Sequence, residues 1–266
     1  MLELNKIHCL DCLEELPKIE DNSIDCIITD PPYFIGFNSS AKEGGRQDYG
    51  NFTMLKPLFS ILFKEFERIL KPDGRVFMFT DWRTYPIVNI CASEFMRVSN
   101  LIVWDYGWIK AGTQFRFTHE FIVHATMHKA KSPKDRAMSD VWRIKPINFT
   151  TKRNHPAEKP VEIIRRMLKE CTEEGDLILD CFMGSGTTAI ACKQLNRNFL
   201  GFEINQRYID TYNSRLEQDN LTKFEMSNEQ ELLGNYKSKN SPDSNFNEFP
   251  SSSNNKKEQR EKVNEE

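Results

Sequence analysis

The chain has 266 residues, 39% of them hydrophobic, enough for one large domain with a real core or a domain with a small insertion. No apolar run approaches the roughly 18 residues that a membrane span needs, and Met1-Leu2-Glu3-Leu4-Asn5-Lys6 has no basic region leading into an apolar stretch, so no signal peptide and no membrane partner are expected. Seven scattered cysteines predict a reducing, cytoplasmic setting, and the formal net charge of -3 excludes a chain that is basic throughout.

In chain order, Ile24–Thr29 is a short apolar run ending in a turn, the pattern of a buried strand. Leu55, Leu58, Phe59, Leu62, Phe66, Ile69 and Leu70 recur at helical spacing, and Lys71-Pro72-Asp73-Gly74 is read as their stop. Strands are predicted over Val76–Phe79, Leu101–Trp104 and Phe121–Ala125, with a helix over Pro86–Met96. Helices over Val161–Cys171, Thr187–Leu195 and Gln206–Glu217 alternate with strands over Leu177–Asp180 and Phe199–Phe202. That alternation predicts an α/β fold with a largely parallel sheet covered on both faces.

Residues 127–154 break the pattern, being polar, basic and weakly periodic. From Trp108 to Pro160 there are 11 Lys/Arg against 4 Asp/Glu. A locally basic insertion suits phosphate neutralisation better than overall charge would suggest. From 225 onward the chain is rich in Ser, Asn, Lys and Glu and is predicted to be a disordered polar tail. The domain division expected is therefore 1–224, with its insertion at 127–154, followed by 225–266.

The strand Leu177–Asp180 leads into Cys181-Phe182-Met183-Gly184-Ser185-Gly186-Thr187-Thr188 and then a helix. Glycines at such a turn let a ligand approach the backbone. Alone they are weak evidence of a nucleotide site. Glu203, at the tip of the next strand, stands where a ribose diol is gripped. Upstream, His155-Pro156-Ala157-Glu158-Lys159-Pro160 precedes an amphipathic helix. Pro160 suits its first turn, and Lys159 with the helix N-terminus makes a positive site for a carboxylate.

Asp30-Pro31-Pro32-Tyr33 follows a buried strand, which puts it at the carboxyl edge of the sheet where ligands bind. A carboxylate, rigid backbone carbonyls and an aromatic face within four residues suit a flipped base. Together this loop, the Asp180–Thr188 turn and the His155–Pro160 segment resemble the DNA amino-methyltransferases. The loop precedes the glycines with the basic region between, which resembles the beta-class permutation. The resemblance spans about residues 3–217. Asp11-Cys12-Leu13 is similar to a family segment contacting the cofactor's adenine, and Gly112–Ala125 to the segment preceding a target-recognition region.

The resemblance implies a Rossmann-like, circularly permuted S-adenosylmethionine-dependent fold with an inserted target-recognition region. It implies methyl transfer to the 6-amino group of adenine in double-stranded DNA, by base flipping and direct displacement. Asp30 and the Pro31 carbonyl would accept from the amine and Tyr33 would stack on the ring. The implied cofactor contacts are Asp11, Cys12, Asp30, Lys159, Pro160, Asp180, Phe182, Gly184, Ser185, Gly186, Thr187, Thr188, Glu203 and Asn205. The implied DNA contacts are Lys129, Lys131, Lys134, Arg136, Arg143, Lys145, Lys152 and Arg153, weighed against an ordinary solvated face. A homodimer and a separately encoded restriction endonuclease belong to the same expectation. Phe34 and Cys181 depart from the commoner family residues.

Competing readings remain at this level. Ser in place of Asp30 would lean towards cytosine 4-amino methylation; RNA, protein glutamine, or silent DNA binding are lesser alternatives. Cys9-Leu10-Asp11-Cys12 lacks a second pair or nearby His for zinc, and His119-Glu120 with His124 and His128 has the wrong spacing for a metalloprotease helix, so no metal is expected. Trp104, Trp108, Phe115 and Phe117 are weighed as a stacking stripe against the favoured reading that several are core or interface.

Overall fold

A computed structural model describes residues 2–32, 55–109, 115–146 and 158–216. Tyr33, Phe34, Gly112, Lys152, Arg153, His155, Pro156, Ala157 and the 225–266 tail lie outside the described residues.

Among the described residues, eight strands form one sheet: β1 (Lys6–His8), β2 (Ile24–Thr29), β3 (Leu70–Thr80), β4 (Arg97–Asp105), β5 (His119–Thr126), β6 (Val141–Arg143), β7 (Leu177–Asp180) and β8 (Asn198–Phe202). Their spatial order is β1-β8-β7-β2-β3-β5-β4-β6. Only β5 runs against its neighbours; the other pairings are parallel. Strands alternating with helices enforce this, because parallel neighbours need a crossover.

The helices are α1 (Cys12–Glu15), α2 (Leu55–Ile69), α3 (Tyr85–Phe95), α4 (Val161–Cys171) and α5 (Thr187–Gln194), with further helix over 206–216. None of the described helices is long and apolar enough to cross a membrane. Period-two alternation along the strands sends successive side chains to opposite faces. On β3, Val76 and Met78 pack with Phe59, Leu62, Phe63 and Phe66 of α2 and with Val88 and Ala92 of α3. Phe77 and Phe79 pack on the other face with Ile163, Ile164, Met167 and Leu168 of α4 and with α5. The sheet thus carries two cores.

The expected elements are present within a residue or two at most ends, with four differences, the first being that β4 begins at Arg97, four residues before the expected Leu101. Lys71–Gly74 does not separate α2 from β3 cleanly: Leu70 already pairs with Ile24, and the ladder resumes at Arg75 opposite Cys26 after an irregularity. The short β1 and α1 carry too few residues to show a period. Inside the basic region, Val141–Arg143 forms β6 on β4, and Trp142 is buried. Three residues of strand in a polar segment give no alternation to read.

Candidate active site

Parallel strands bring their carboxyl ends to one edge, so Cys9, Asp30, Asp81, Tyr106, Cys181 and Glu203 each follow a strand on the same side of the sheet. β2 and β7 are neighbours there, about 4.8 Å apart. The Asp30 carboxylate and the glycine turn are therefore adjacent although separated by some 150 positions of sequence.

Pro31 is buried and Pro32 exposed, and the Asp30 side chain keeps 24% of its surface. Lys159 Nζ donates to Asp30 Oδ2 at 2.5 Å and lies 3.6 Å from Glu120 Oε2. The ammonium also stands 5.1 Å from the Phe79 ring centroid. Burial alone would depress the Lys159 ammonium, but the Asp30 and Glu120 carboxylates outweigh it and hold its pKa above the usual lysine range. Behind Glu120, Tyr106 is 2% exposed. Burial, then the neighbouring Glu120 carboxylate, pushes its phenol far up. Lys159 was expected to receive a ligand carboxylate; its ammonium instead faces two carboxylates of the protein. Pro160 sits at the N-cap of α4, one place before the first turn.

On the other side of Asp30, the turn after β7 is built around buried Asp180. Its carboxylate accepts from Thr29 Oγ1 at 3.1 Å, Phe182 N at 3.0 Å and Thr188 Oγ1 at 2.6 Å. Glu203 accepts from Gly184 N and Asn205 N, each at 2.8 Å. Gly184 has φ +53 and no heavy atom within 4 Å of where a Cβ would stand. That open backbone is where a ligand can approach. Gly186 serves packing instead: its φ is +79 and a Cβ would meet Tyr212 Cδ2 at 2.2 Å. Thr187 Oγ1 donates to the Lys159 carbonyl at 3.3 Å, while Ser185 accepts from Arg215, which also pairs with Glu158 at 2.8 Å. Ser185 and Thr188 thus brace the turn, and Asn205 Oδ1 accepts from Arg207 N at the start of the last helix.

Asp11 caps α1 by accepting from Leu13 N at 2.9 Å. Cys12 is buried beside Cys181, whose thiol is pushed well up by burial and by that neighbour. The Asp11–Cys12 segment therefore joins the glycine turn. Cys9, by contrast, is exposed and turns to the Ile204 carbonyl.

The basic residues separate into two groups. β5 descends to the amino end of the sheet, so Lys129 N bonds the Pro72 carbonyl at 3.0 Å and the Lys131 carbonyl accepts from Arg75 at 3.2 Å. Lys134 Nζ donates to Thr172 O at 2.8 Å and pairs with Glu173 at 2.9 Å, beyond the C-terminal end of α4. Arg136 follows beside Asp135, whose N–H bonds Glu170 at 2.9 Å. These four lie at the sheet edge opposite Asp30, and the structure does not bring them to the site. β6 returns towards it, carrying Arg143, 79% exposed and 2.8 Å from Asp105, and then Lys145.

Sequence reasoning missed the carboxyl-edge surface beside β3, β4 and β5. Trp82 (49% exposed), Trp108 (40%) and Phe117 (37%) stand there, with the Arg83 guanidinium 4.8 Å from Trp82 and 5.9 Å from Phe117. Of Trp104, Trp108, Phe115 and Phe117, only Trp104 is buried, at 3%. Phe115 is 96% exposed. Glu120 and Tyr106 were also missed as site residues; the aromatic-carboxylate pairing has no local signal.

A family model described as DNA methylase, covering the N6 and N4 enzymes, matches residues 24–214. The Type II methyltransferase M.HpaI of Haemophilus parainfluenzae is 29% identical over 238 residues, 80% of this chain and 74% of that protein. The DNA adenine methyltransferase YhdJ of Escherichia coli is 27% identical over 234 residues, 75% of this chain and 78% of that protein. Among solved structures, the M1.HpyAVI–SAM complex superposes with a TM-score of 0.58 at 25% identity, over 79% of this chain and 98% of that one. Among the described residues the sheet, with β5 reversed, is the Rossmann-like methyltransferase fold, with the Asp30 loop ahead of the glycine turn in sequence, and the chain belongs to the N6/N4 DNA methylase family.

Proposed function

We propose that the protein methylates the 6-amino group of adenine at specific sites in duplex DNA, using S-adenosylmethionine. The observation that carries this reading is Asp30 at the end of β2, next to the glycine turn after β7, with Lys159 fixing its carboxylate. The residues present fit the cofactor: open backbone at Gly184, a strand-tip acid at Glu203, and the Asp11–Cys12 segment alongside. When bound, S-adenosylmethionine supplies an electrophilic sulfonium methyl. Glu203 accepts from the ribose hydroxyls and the Gly184 turn admits the donor closely.

Asp30 and the Pro31 carbonyl accept from the target amine, which localises a lone pair otherwise delocalised into the ring. Orientation and electrostatics then supply the rate, with no covalent enzyme intermediate. A base stacked in a duplex cannot reach a recess at a strand end, so the target nucleotide leaves the stack. Tyr33 is assigned the stacking role by its place in the loop.

One side of Asp30 is taken by the cofactor turn. The duplex is therefore assigned to the other side, over Trp82, Arg83, Trp108, Phe117, Arg143 and Lys145. A groove of about 400 Å³ between Asp105, Trp108, Thr118 and Arg143 supports that placement. The naming of M.HpaI as a Type II methyltransferase supports a role beside a separately encoded restriction endonuclease, and a homodimer is part of the same proposal.

Asp in the first loop position and the adenine specificity named for YhdJ favour adenine over the cytosine 4-amino group. The test is nucleoside mass analysis of DNA incubated with the protein and S-adenosylmethionine. Detection of 6-methyladenine, abolished by Asp30→Ala, is expected. Finding 4-methylcytosine alone overturns the target, and DNA binding without any transfer overturns the catalysis.

A further inference from the structure

We propose that Glu120, backed by Tyr106, is a positioning residue that shares the Lys159 ammonium with Asp30 and thereby sets how the catalytic carboxylate meets the target amine. This rests on the reading of Asp30 as the acceptor of that amine.

The cluster is assembled from four separate elements. Asp30 ends β2, Glu120 begins β5, Tyr106 follows β4, and Lys159 precedes α4. Phe79 of β3 closes one side with its ring 5.1 Å from the ammonium. Trp104 meets Tyr106 edge-on with centroids 4.9 Å apart and holds it in place. The Lys159 side chain is 11% exposed, Asp30 24% and Glu120 22%, so water screens this cluster poorly.

A buried cation needs one partner, and Asp30 at 2.5 Å supplies it. The second carboxylate, at 3.6 Å, is more than charge balance requires. Two carboxylates on one ammonium crowd negative charge beside the reacting centre, which costs stability unless the arrangement serves another purpose. The ammonium sits on Asp30 at 2.5 Å, and Glu120 at 3.6 Å shares its positive charge without displacing it. Asp30 is thereby left a stronger acceptor for the amine, while its orientation stays fixed by that contact. Tyr106 donates to Glu120 and holds that carboxylate in place. Among the described residues, the charged or titratable groups around the ammonium are Asp30, Glu120 and, through Glu120, Tyr106; Asp180 on β7 stands behind Asp30.

Glu120→Gln keeps the shape and removes the charge. It is expected to lower kcat roughly 10- to 100-fold, the scale of misplacing a reacting group, with the KM for DNA and the Kd for S-adenosylmethionine within about twofold. Loss of one of the two carboxylates that raise the Lys159 pKa moves the alkaline limb of kcat to lower pH. Tyr106→Phe removes one hydroxyl and is expected to lower kcat roughly 3- to 10-fold. Glu120→Asp keeps the charge and should retain more activity than Glu120→Gln. Wild-type kcat and an unmoved alkaline limb in Glu120→Gln overturn the proposal. So does a parallel loss of cofactor binding in both variants, which marks a merely structural pair. If wild-type protein transfers methyl groups to DNA and Asp30→Ala does not, the functional reading stands and these variants judge the positioning role alone.

Discussion

Thr29 Oγ1 donates to Asp180 Oδ1 at 3.1 Å, joining the strand that delivers the Asp30 carboxylate to the strand that delivers the glycine turn. The bond is buried, so it fixes the spacing of two halves of the site that share no local sequence.

That buried carboxylate predicts an unusual pH response. Burial pushes Asp180 up to about 7, against the hydrogen bonds from Thr188, Phe182 and Thr29 and with the Asp30 charge adding to the rise. Burial, then Arg75, pushes His124 down to about 4. Between about pH 4 and 7 folded Asp180 holds a proton that the unfolded chain has released, so its contribution falls as pH rises. Between about 6.5 and 4 the unfolded chain binds a proton that folded His124 refuses, so its contribution falls as pH falls. The two slopes oppose each other. Relative to wild type, Asp180→Asn should gain thermal stability as pH rises through this window. His124→Phe, which keeps the stack on Phe77 at 4.5 Å, should gain as pH falls. Thermal melts across the window check both; parallel curves for all three proteins would refute the assignment.

Gly186→Ala should destabilise the fold by about 2 to 4 kcal/mol, because a left-handed backbone and a close neighbour are both violated. The Cβ would stand 2.2 Å from Tyr212 Cδ2 at φ +79. A denaturant midpoint within error of wild type would contradict this.

Glu203→Ala should weaken S-adenosylmethionine binding roughly 10- to 100-fold, the order carried by losing a charge-assisted contact to the ligand. It also releases Gly184 N and Asn205 N, each held at 2.8 Å. Calorimetric titration measures the change, and an unaltered Kd would remove Glu203 from the ligand's grip.

The combined variant Lys129→Ala, Lys131→Ala, Lys134→Ala should leave DNA affinity and its salt slope unchanged, since these residues lie at the sheet edge away from Asp30. Arg143→Ala with Lys145→Ala should flatten the slope by about one to two phosphate contacts. Filter binding over a salt series discriminates; a flattened slope in the triple variant would place the DNA on the opposite edge.

Much of the framework was legible in the sequence. Helical spacing from Leu55 to Ile69 and the apolar run of β2 are local patterns, so α2 and β2 lie where they were read. The places of Asp30, Gly184 and Glu203 were legible for a related reason: Asp30 and Glu203 directly follow strands, Gly184 lies in the turn after one, and in a parallel sheet every strand end reaches one edge. The course of the basic segment was not legible, because composition reports charge but no direction. β5 runs antiparallel, and that reversal carries Lys129 to Arg136 to the far edge.

By itself, then, the sequence determined the alternating elements, the two cores' apolar faces and the residues at the strand ends, because periodicity and turn chemistry act over a few positions. Only the tertiary structure decided the partners of Lys159. Asp30 is 129 positions away, and Glu120 and Tyr106 reach the ammonium through strand order and side-chain reach, which no local spacing encodes. The lysine that the sequence offered to a ligand carboxylate is bound in the fold to two carboxylates of its own chain, because a buried ammonium takes the nearest anions that packing provides.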